Sequence, residues 1–456
     1  MAQSLSLPYS TERLDSDQIG QAIDDMMKRS RDSRGGFERR WYDNNFFDDG
    51  YHFRYLSRQQ NKIVDLSTRS TIYNPMRAIP KSSRQIRGVA NLLMSTDPVP
   101  VVYPEKISFT AFPPTEQTDP QTGQTKVVPN PDYKAAMQEA KTIAKASGHW
   151  LSEEFKDQDI LEKLALIIIL AAKHGVSYIQ VWPDAVEEAI NTAVYDAFDI
   201  FLIGSLNETS ASPFMGKAAP RFISEIKADE RFDPEKVAQI NPDNRQAGSE
   251  IKDAYMKARY GGMTNPETAA RVIEKEWFIK EYLDENSTPR VRKVENGEEI
   301  LRGKNKGDRV LRHTFVVGEV AILDEYVNLP DYPFVDFRFE PGPIYQVPLI
   351  ERFIPMNKSL DLISSRIERY THTMVTGMFL KRQGEQFDIN NTPGGQIVEY
   401  QNTPPTQGQI APIPGFVFNF MTFLTGLIEE QGVTTTTLGK IPPGVRANAA
   451  IESLKE

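Results

Sequence analysis

The chain has 456 residues, enough for roughly two or three ordinary domains, and 39% of them are hydrophobic, enough to build a core. It holds no cysteine, which excludes disulfides, thiolate metal sites and a cysteine nucleophile. Its 62 Asp and Glu against 53 Lys and Arg leave a net charge of −9, the reverse of the basic excess expected of a protein that grips phosphates.

The stretch Met1 to Asp17 is polar and has no apolar core of the kind a signal peptide carries. Asp15 to Arg34 predicts a charged helix with Ile19, Ile23, Met26 and Met27 on its apolar side, stopped by Gly35 and Gly36. An aromatic cluster follows: Trp41, Tyr42, Phe46, Phe47, Tyr51, Phe53 and Tyr55, interleaved with Arg39, Arg40, Arg54 and Arg58. Arginines among aromatics can stack bases. Asp43, Asp48 and Asp49 would repel phosphate, so the cluster reads first as a packing anchor. Ser82 to Met94 predicts a helix, Val99 to Tyr103 a short buried strand, and Pro113 to Pro131 a surface loop. Helices are expected over Asp132–Phe155 and Asp159–Lys173, the second stopped by Gly175. Val176–Trp182 and Ala197–Ile203 read as neighbouring strands, and Phe222–Lys227 leads to a helix ending near Ile240. Asn241 to Thr268 is polar and loop-like. Glu274–Leu283, Arg290–Val294, Glu299–Arg302, His313–Leu323 and Asp331–Phe339 read as strands of an antiparallel excursion in an α+β fold. The most apolar run, Leu164 to Ala172, is far short of the roughly twenty residues a membrane helix needs, so a soluble protein is expected.

The chain is organised around a helix predicted from Pro348 to Met374. Leu349, Phe353, Met356, Leu360, Ile363, Ile367, Tyr370 and Met374 alternate at spacings of four and three, which draws one narrow apolar seam along the helix. The other faces carry Glu351, Arg352, Lys358, Asp361, Arg366, Glu368 and Arg369 and expect water or a polar neighbour. Pro355 predicts a kink, or a true start at Ile354 with a short helix before it. Beyond Met378 the composition changes to a Gly- and Pro-rich excursion with short strands at Gln396–Tyr400 and near Ile410. An aromatic helix, Phe416–Gln431, comes next and ends at Gly432. A threonine-rich connection follows, and Val445–Leu454 begins another helix.

Catalytic motifs are missing. A phosphate loop needs four residues between its glycines and a Ser or Thr after the lysine. Between Gly432 and Gly439-Lys440 there are six, and Ile441 follows. His52, His149, His174, His313 and His372 are scattered, without metal-ligand spacing, and neither an HExxH nor a G-x-S-x-G occurs. Adjacent acids such as Glu153-Glu154 and Glu429-Glu430 do not face each other on a helix. Nothing here specifies a catalytic site, a cofactor or a metal. The competing class is an α+β enzyme acting on nucleotides or another hydrolysable substrate, with the long helices as ordinary core.

The order of segments resembles the portal (head–tail connector) proteins of tailed bacteriophages. The residues that carry the resemblance are FERRWYDNNFFDDGYHFRY, then DPVPVVYPE, LALIIILAAKHGVSYIQVWPD and AFDIFLI, then DYPFVDFRFEPG leading into VPLIERFIPMNKSLDLISSRIERY, and finally TTTTLGKIPPGVRANAAIESL. The resemblance implies an α/β wing over residues 1–347 with its β-rich excursion at 270–340. It implies a first stem helix at 348–375, a small α/β clip at 376–415 and a second stem helix at 416–431. A channel (tunnel) loop at 432–444 and the start of a returning helix at 445–456 complete it. The family usually adds a helical crown, which would follow Glu456.

The resemblance further implies a cyclic homo-oligomer of about twelve copies at the unique capsid vertex of the virion, assembled in the host cytoplasm. Such a ring passes double-stranded DNA during packaging and ejection. It docks the terminase large subunit and later a tail adaptor protein, sits among copies of the major capsid protein, touches no membrane and is not an enzyme. An acidic wall suits a conduit whose DNA contacts are weak and non-specific. Candidate channel residues are Lys440 and Arg446, with Thr434, Thr435, Thr436 and Thr437. Candidate clip contacts are Lys381 and Arg382 and the strand Gln396, Ile397, Val398, Glu399 and Tyr400, whose edge could add strands from partners.

Overall fold

A computed structural model describes residues 16–57, 63–70, 75–95, 101–103, 115–118, 125–128, 131–184, 189–203, 207–240, 271–282, 291–294, 297–300, 309–327, 329–376, 378–384, 396–403 and 412–432. They form a mixed α+β fold in two compact units. Unit 1 comprises Met1–Leu92, Ile167–Gln180 and Val194–Glu456; unit 2 comprises Leu93–Leu166 and Val181–Ala193.

Helix α1, Ser16–Asp48, runs straight through Gly35 and Gly36, where the sequence predicts a stop. Each glycine costs about 1 kcal/mol in a helix. The buried pair Arg34–Glu38 (2.8 Å) spans the site, and Trp41, Tyr42 and Phe46 beyond it fill a core cluster, so packing outweighs propensity. The aromatic segment is therefore a packing anchor in its first half, while Tyr51 and Tyr55 remain exposed. Strands β1, Arg54–Leu56, and β2, Ile63–Asp65, pair antiparallel, and α2 spans Lys81–Met94.

In unit 2, β3, Thr115–Thr118, and β4, Thr125–Val128, form an antiparallel hairpin where a loop was expected. Polar threonines that leave no hydrophobic alternation still supply strand propensity. The expected strand at Val99–Tyr103 is not formed over 101–103, and Val101 is 64% exposed. Helix α3, Pro131–Asp157, precedes α4, Ile160–His174.

Gly175 ends α4 at φ +86°, with its α-carbon so close to Gln346 that a Cβ would lie 2.6 Å from that carbonyl oxygen. Strand β5, Ser177–Asp184, follows, then β6, Ala189–Tyr195. Of the expected strand Ala197–Ile203 only β7, Ile200–Phe201, forms, and it lies in a different sheet from β5. Two local contacts divert the chain. Asp196 accepts the Phe198 amide (2.7 Å), and the buried Arg34 guanidinium donates to the carbonyls of Ala197 and Phe198 (both 2.9 Å) and of Ile200.

Strand β8, Phe214–Phe222, is hidden in the sequence by Gly216 and Pro220. Short helices α5, Ile223–Ala228, and α6, Pro234–Ala238, follow. Strand β9 is Arg271–Tyr282; β10, Val291–Val294, and β11, Gly297–Ile300, form a separate hairpin. The expected single strand over His313–Leu323 is two, β12, Arg309–Val317, and β13, Val320–Val327, turned at Gly318 with φ +63°. A five-stranded antiparallel sheet results, in the order β13-β12-β9-β8-β7. Strand alternation then assigns its faces. Trp277, Ile279, Phe214 and Val316 meet Ile19, Ile23 and Met26 of α1, and Val272, Phe315 and Val317 meet Ile226 and Val237 of α5 and α6. Gly216 sits in register with Trp277, whose indole crosses it; a Cβ there would be 2.4 Å from the ring.

Strand β14, Phe334–Phe337, pairs antiparallel with β5, and the long helix follows as α7, Ile350–Thr376. It starts at Ile350 and not at Ile354, with Pro355 inside it. Beyond it β15, Met378–Arg382, pairs parallel with β16, Gln396–Tyr400, and α8 spans Gly415–Gln431. The expected loop at Asn241–Thr268, the strand near Ile410 and everything from 433 onward lie outside the described residues. Among the described residues no helix is long and apolar enough to cross a membrane.

Candidate functional site

The helix pair α7–α8 is the strongest candidate because, among the described residues, each helix has an exposed row beside the faces it packs. Leu349, Phe353, Met356, Leu360 and Ile363 share a cluster with Met421, Leu424 and Ile428. Ile367 and Tyr370 are half-buried outside that cluster, and the side chain of Met374 lies outside the described residues. The two helices run antiparallel. Gly432, which closes α8, presses on Gln85, and the adjacent Ile86 is buried with Ile350 at the start of α7.

The sequence seam missed a second buried row on α7. Asn357, Asp361 and Ser365 recur every fourth residue and are all buried. They bond the extended chain before α2 and the first two residues of that helix. Ser365 Oγ accepts the Arg77 amide (2.8 Å), Asp361 Oδ1 the Ile79 amide (2.8 Å), and Asn357 Oδ1 those of Lys81 and Ser82 (3.2 Å each). Asn357 Nδ2 returns a bond to the Ile79 carbonyl (2.8 Å). Asp361 Oδ2 also holds His52 Nδ1 at 2.6 Å, and the imidazole is stacked on Phe47 at 3.9 Å. Glu351, near the start of the helix, is gripped by Arg40 and Asn44 of α1. The four-residue spacing of polar groups was visible in the sequence; only their burial was not.

On α8 a row of Phe416, Phe420 and Phe423 lies beside the seam, about 100° round the helix, with Phe420 and Phe423 each one residue before a seam residue, Met421 and Leu424. These are 70%, 46% and 57% exposed. Phe418, on another face, is 51% exposed.

Between the helices, β15 and β16 pair Met378 with Gln396 through to Arg382 with Tyr400. Phe379, Leu380 and Lys381 are opposite Ile397, Val398 and Glu399, and Lys381 reaches Glu399 at 3.3 Å. The pair forms a two-stranded sheet, so among the described residues neither outer edge has a strand partner. The candidate channel residues Thr434, Thr435, Thr436, Thr437, Lys440 and Arg446 lie outside the described residues.

A second polar cluster lies on the five-stranded sheet. Glu276 of β9 meets Lys217 of β8 (2.7 Å), His313 of β12 (3.0 Å) and Gln180 of β5 (3.2 Å), and Lys217 also reaches the Tyr195 hydroxyl (3.0 Å). Burial alone would raise the Glu276 carboxyl, but the His313 hydrogen bond and the Lys217 charge outweigh it and bring it down to about 2. Burial would likewise lower His313 and Lys217. The bond to Glu276 dominates at His313, with Glu325 adding to it, and the Glu276 charge dominates at Lys217, so both are raised. These groups neutralise one another in a closed interior, which makes the cluster a structural tie. A recess of about 370 Å³ lined by Glu208, Ser210, Leu311 and Leu329 is no better as a site, because Lys280 in its wall is already bonded to Asp331 at 2.8 Å. Among the described residues no group of three or more His, Asp or Glu could hold a metal ion.

No protein-family model matches the chain, and no curated protein matches it.

Proposed function

We propose that the chain is the protomer of a portal-type ring, a structural conduit for double-stranded DNA at the unique vertex of a phage capsid. The observation that carries the proposal is the α7–α8 pair: one seam closes it internally, and a second row, of phenylalanines, stays in water. Three large aromatics on one exposed helix face are costly unless another surface covers them. In a cyclic assembly every protomer needs two different complementary faces, one for each neighbour. The two-stranded parallel unit β15–β16 suits the clip. Parallel pairs are normally covered, and its free edges can take strands from neighbouring copies or from the terminase large subunit.

In this reading α7 and α8 line the wall. The net charge of −9 keeps DNA from adhering, and any DNA contact is weak and non-specific. Lys440 and Arg446 touch the phosphates, the major capsid protein and a tail adaptor bind the outside, and ATP hydrolysis belongs to the docked motor. Negative-stain imaging of the purified full chain tests this: rings with a central hole are expected, and compact monomers at micromolar concentration would overturn it.

A further inference from the structure

We infer that the aromatic row Phe416, Phe420 and Phe423 of one protomer is covered by the row Lys358, Leu362 and Arg366 on α7 of a second copy. The inference rests on the ring reading and names the surface that closes it.

Helix α7 has three faces. Its apolar seam meets α8, and its Asn357–Asp361–Ser365 row meets the chain before α2. The third face carries Lys358, Leu362 and Arg366, again every fourth residue, and all three are exposed. Leu362 is 51% exposed, and neither Lys358 nor Arg366 forms an ion pair with a described residue. An apolar side chain flanked by two cations complements a row of aromatic faces. Leucine packs on a ring, and lysine and arginine are drawn to the negative face of its neighbours.

The heights agree as well. Ile350 and Gly432 are level, since both lie against the Gln85–Ile86 pair of α2. Counting in opposite directions at about 1.5 Å per residue sets Arg366 level with Phe416, Leu362 with Phe420, and Lys358 within one residue of Phe423. Neighbours related by rotation about an axis parallel to the helices keep these levels. The row of one copy then faces its counterpart in the next without a shift. Pairing of the aromatic row with itself would leave Leu362 in water and both cations without a role.

Two full-length variants test this. The first carries Phe416→Ser, Phe420→Ser and Phe423→Ser, and the second Lys358→Glu, Leu362→Ser and Arg366→Glu. All six side chains are exposed, so both variants should fold, with the far-ultraviolet circular dichroism of the unmodified chain; their melting temperatures should fall only by what assembly itself contributes. Native mass measurement should show each variant alone as a monomer, with assembly weakened at least about tenfold, as expected when interface anchors are lost. An equimolar mixture should give a one-to-one dimer, because one intact pair of faces remains. As an independent check, Phe416→Lys should restore assembly to Arg366→Glu by supplying a charge partner at the same level. If the unmodified chain forms rings and the second variant does too, the aromatic row is covered by something else, and this inference fails while the ring stands. A mixture that yields no heterodimer overturns it equally. An unmodified chain that stays monomeric overturns both.

Discussion

Replacing Asp361 by alanine should loosen the seating of α7 more than any other single polar change. The carboxylate accepts the Ile79 amide and His52 Nδ1 at 2.8 and 2.6 Å and is almost wholly buried. Alanine would leave the buried His52 Nδ1 without an acceptor, at about 1–3 kcal/mol, and the half-buried Ile79 amide, at about 1 kcal/mol, for a total of about 2–4 kcal/mol. Asn357 Nδ2 loses only a weak contact, since its bond to the Ile79 carbonyl remains. Asp361→Asn keeps an oxygen for Ile79 and turns an amide toward His52, whose other tautomer can accept from it; the cost falls to about 1–2 kcal/mol. Urea unfolding gives the energies, and amide hydrogen exchange locates them. Exchange at Ile79 should quicken at least about tenfold in Asp361→Ala and much less in Asp361→Asn. Unchanged exchange at Ile79, with unfolding within about 0.5 kcal/mol of the parent, would refute the reasoning. Equal costs for the two substitutions would show that charge, not the acceptor, is what matters.

Phe353, fully buried between α7 and α8, should cost about 3–5 kcal/mol as alanine, read by denaturant unfolding; a loss under 1 kcal/mol would mean the helices do not depend on that seam. Gly216→Ala would drive a Cβ to 2.4 Å from the Trp277 ring, and a lowered melting temperature with altered tryptophan fluorescence is expected. The Glu276 cluster predicts a two-sided pH profile. The carboxyl is depressed from 4.5 to about 2, so its contribution, on the order of 3 kcal/mol, is present above pH 4.5 and lost as pH falls towards 2. His313 is raised above 6.5, so its contribution is complete below 6.5 and lost as pH rises through the raised value. Glu276→Gln should flatten the acid arm and His313→Gln the alkaline arm of melting temperature against pH; unchanged arms would count against the network.

The sequence made the long periodic elements legible and left the locally ambiguous ones hidden. Helices α2, α3, α4 and α8 fall within a few residues of expectation, because apolar spacing and terminal glycines act locally. Helix α1 continues past the stop that Gly35 signals, because the energy that carries it onward comes from Trp41 and Phe46 in the core, contacts that no window of sequence contains. Strand β8 was hidden because Gly216 is there for Trp277, sixty-one positions away and opposite it in register. The apolar seam of α7 could be read from spacing, yet its second row could not, since Asn357, Asp361 and Ser365 look like solvated positions until the chain before α2 is laid against them.

If α7 and α8 form the wall of a ring, the full chain assembles into it. Native mass spectrometry of the full chain measures this assembly most directly. A single closed assembly of many copies, about twelve, that persists on dilution is expected. A monomer, or a dimer that grows no further with concentration, would contradict it.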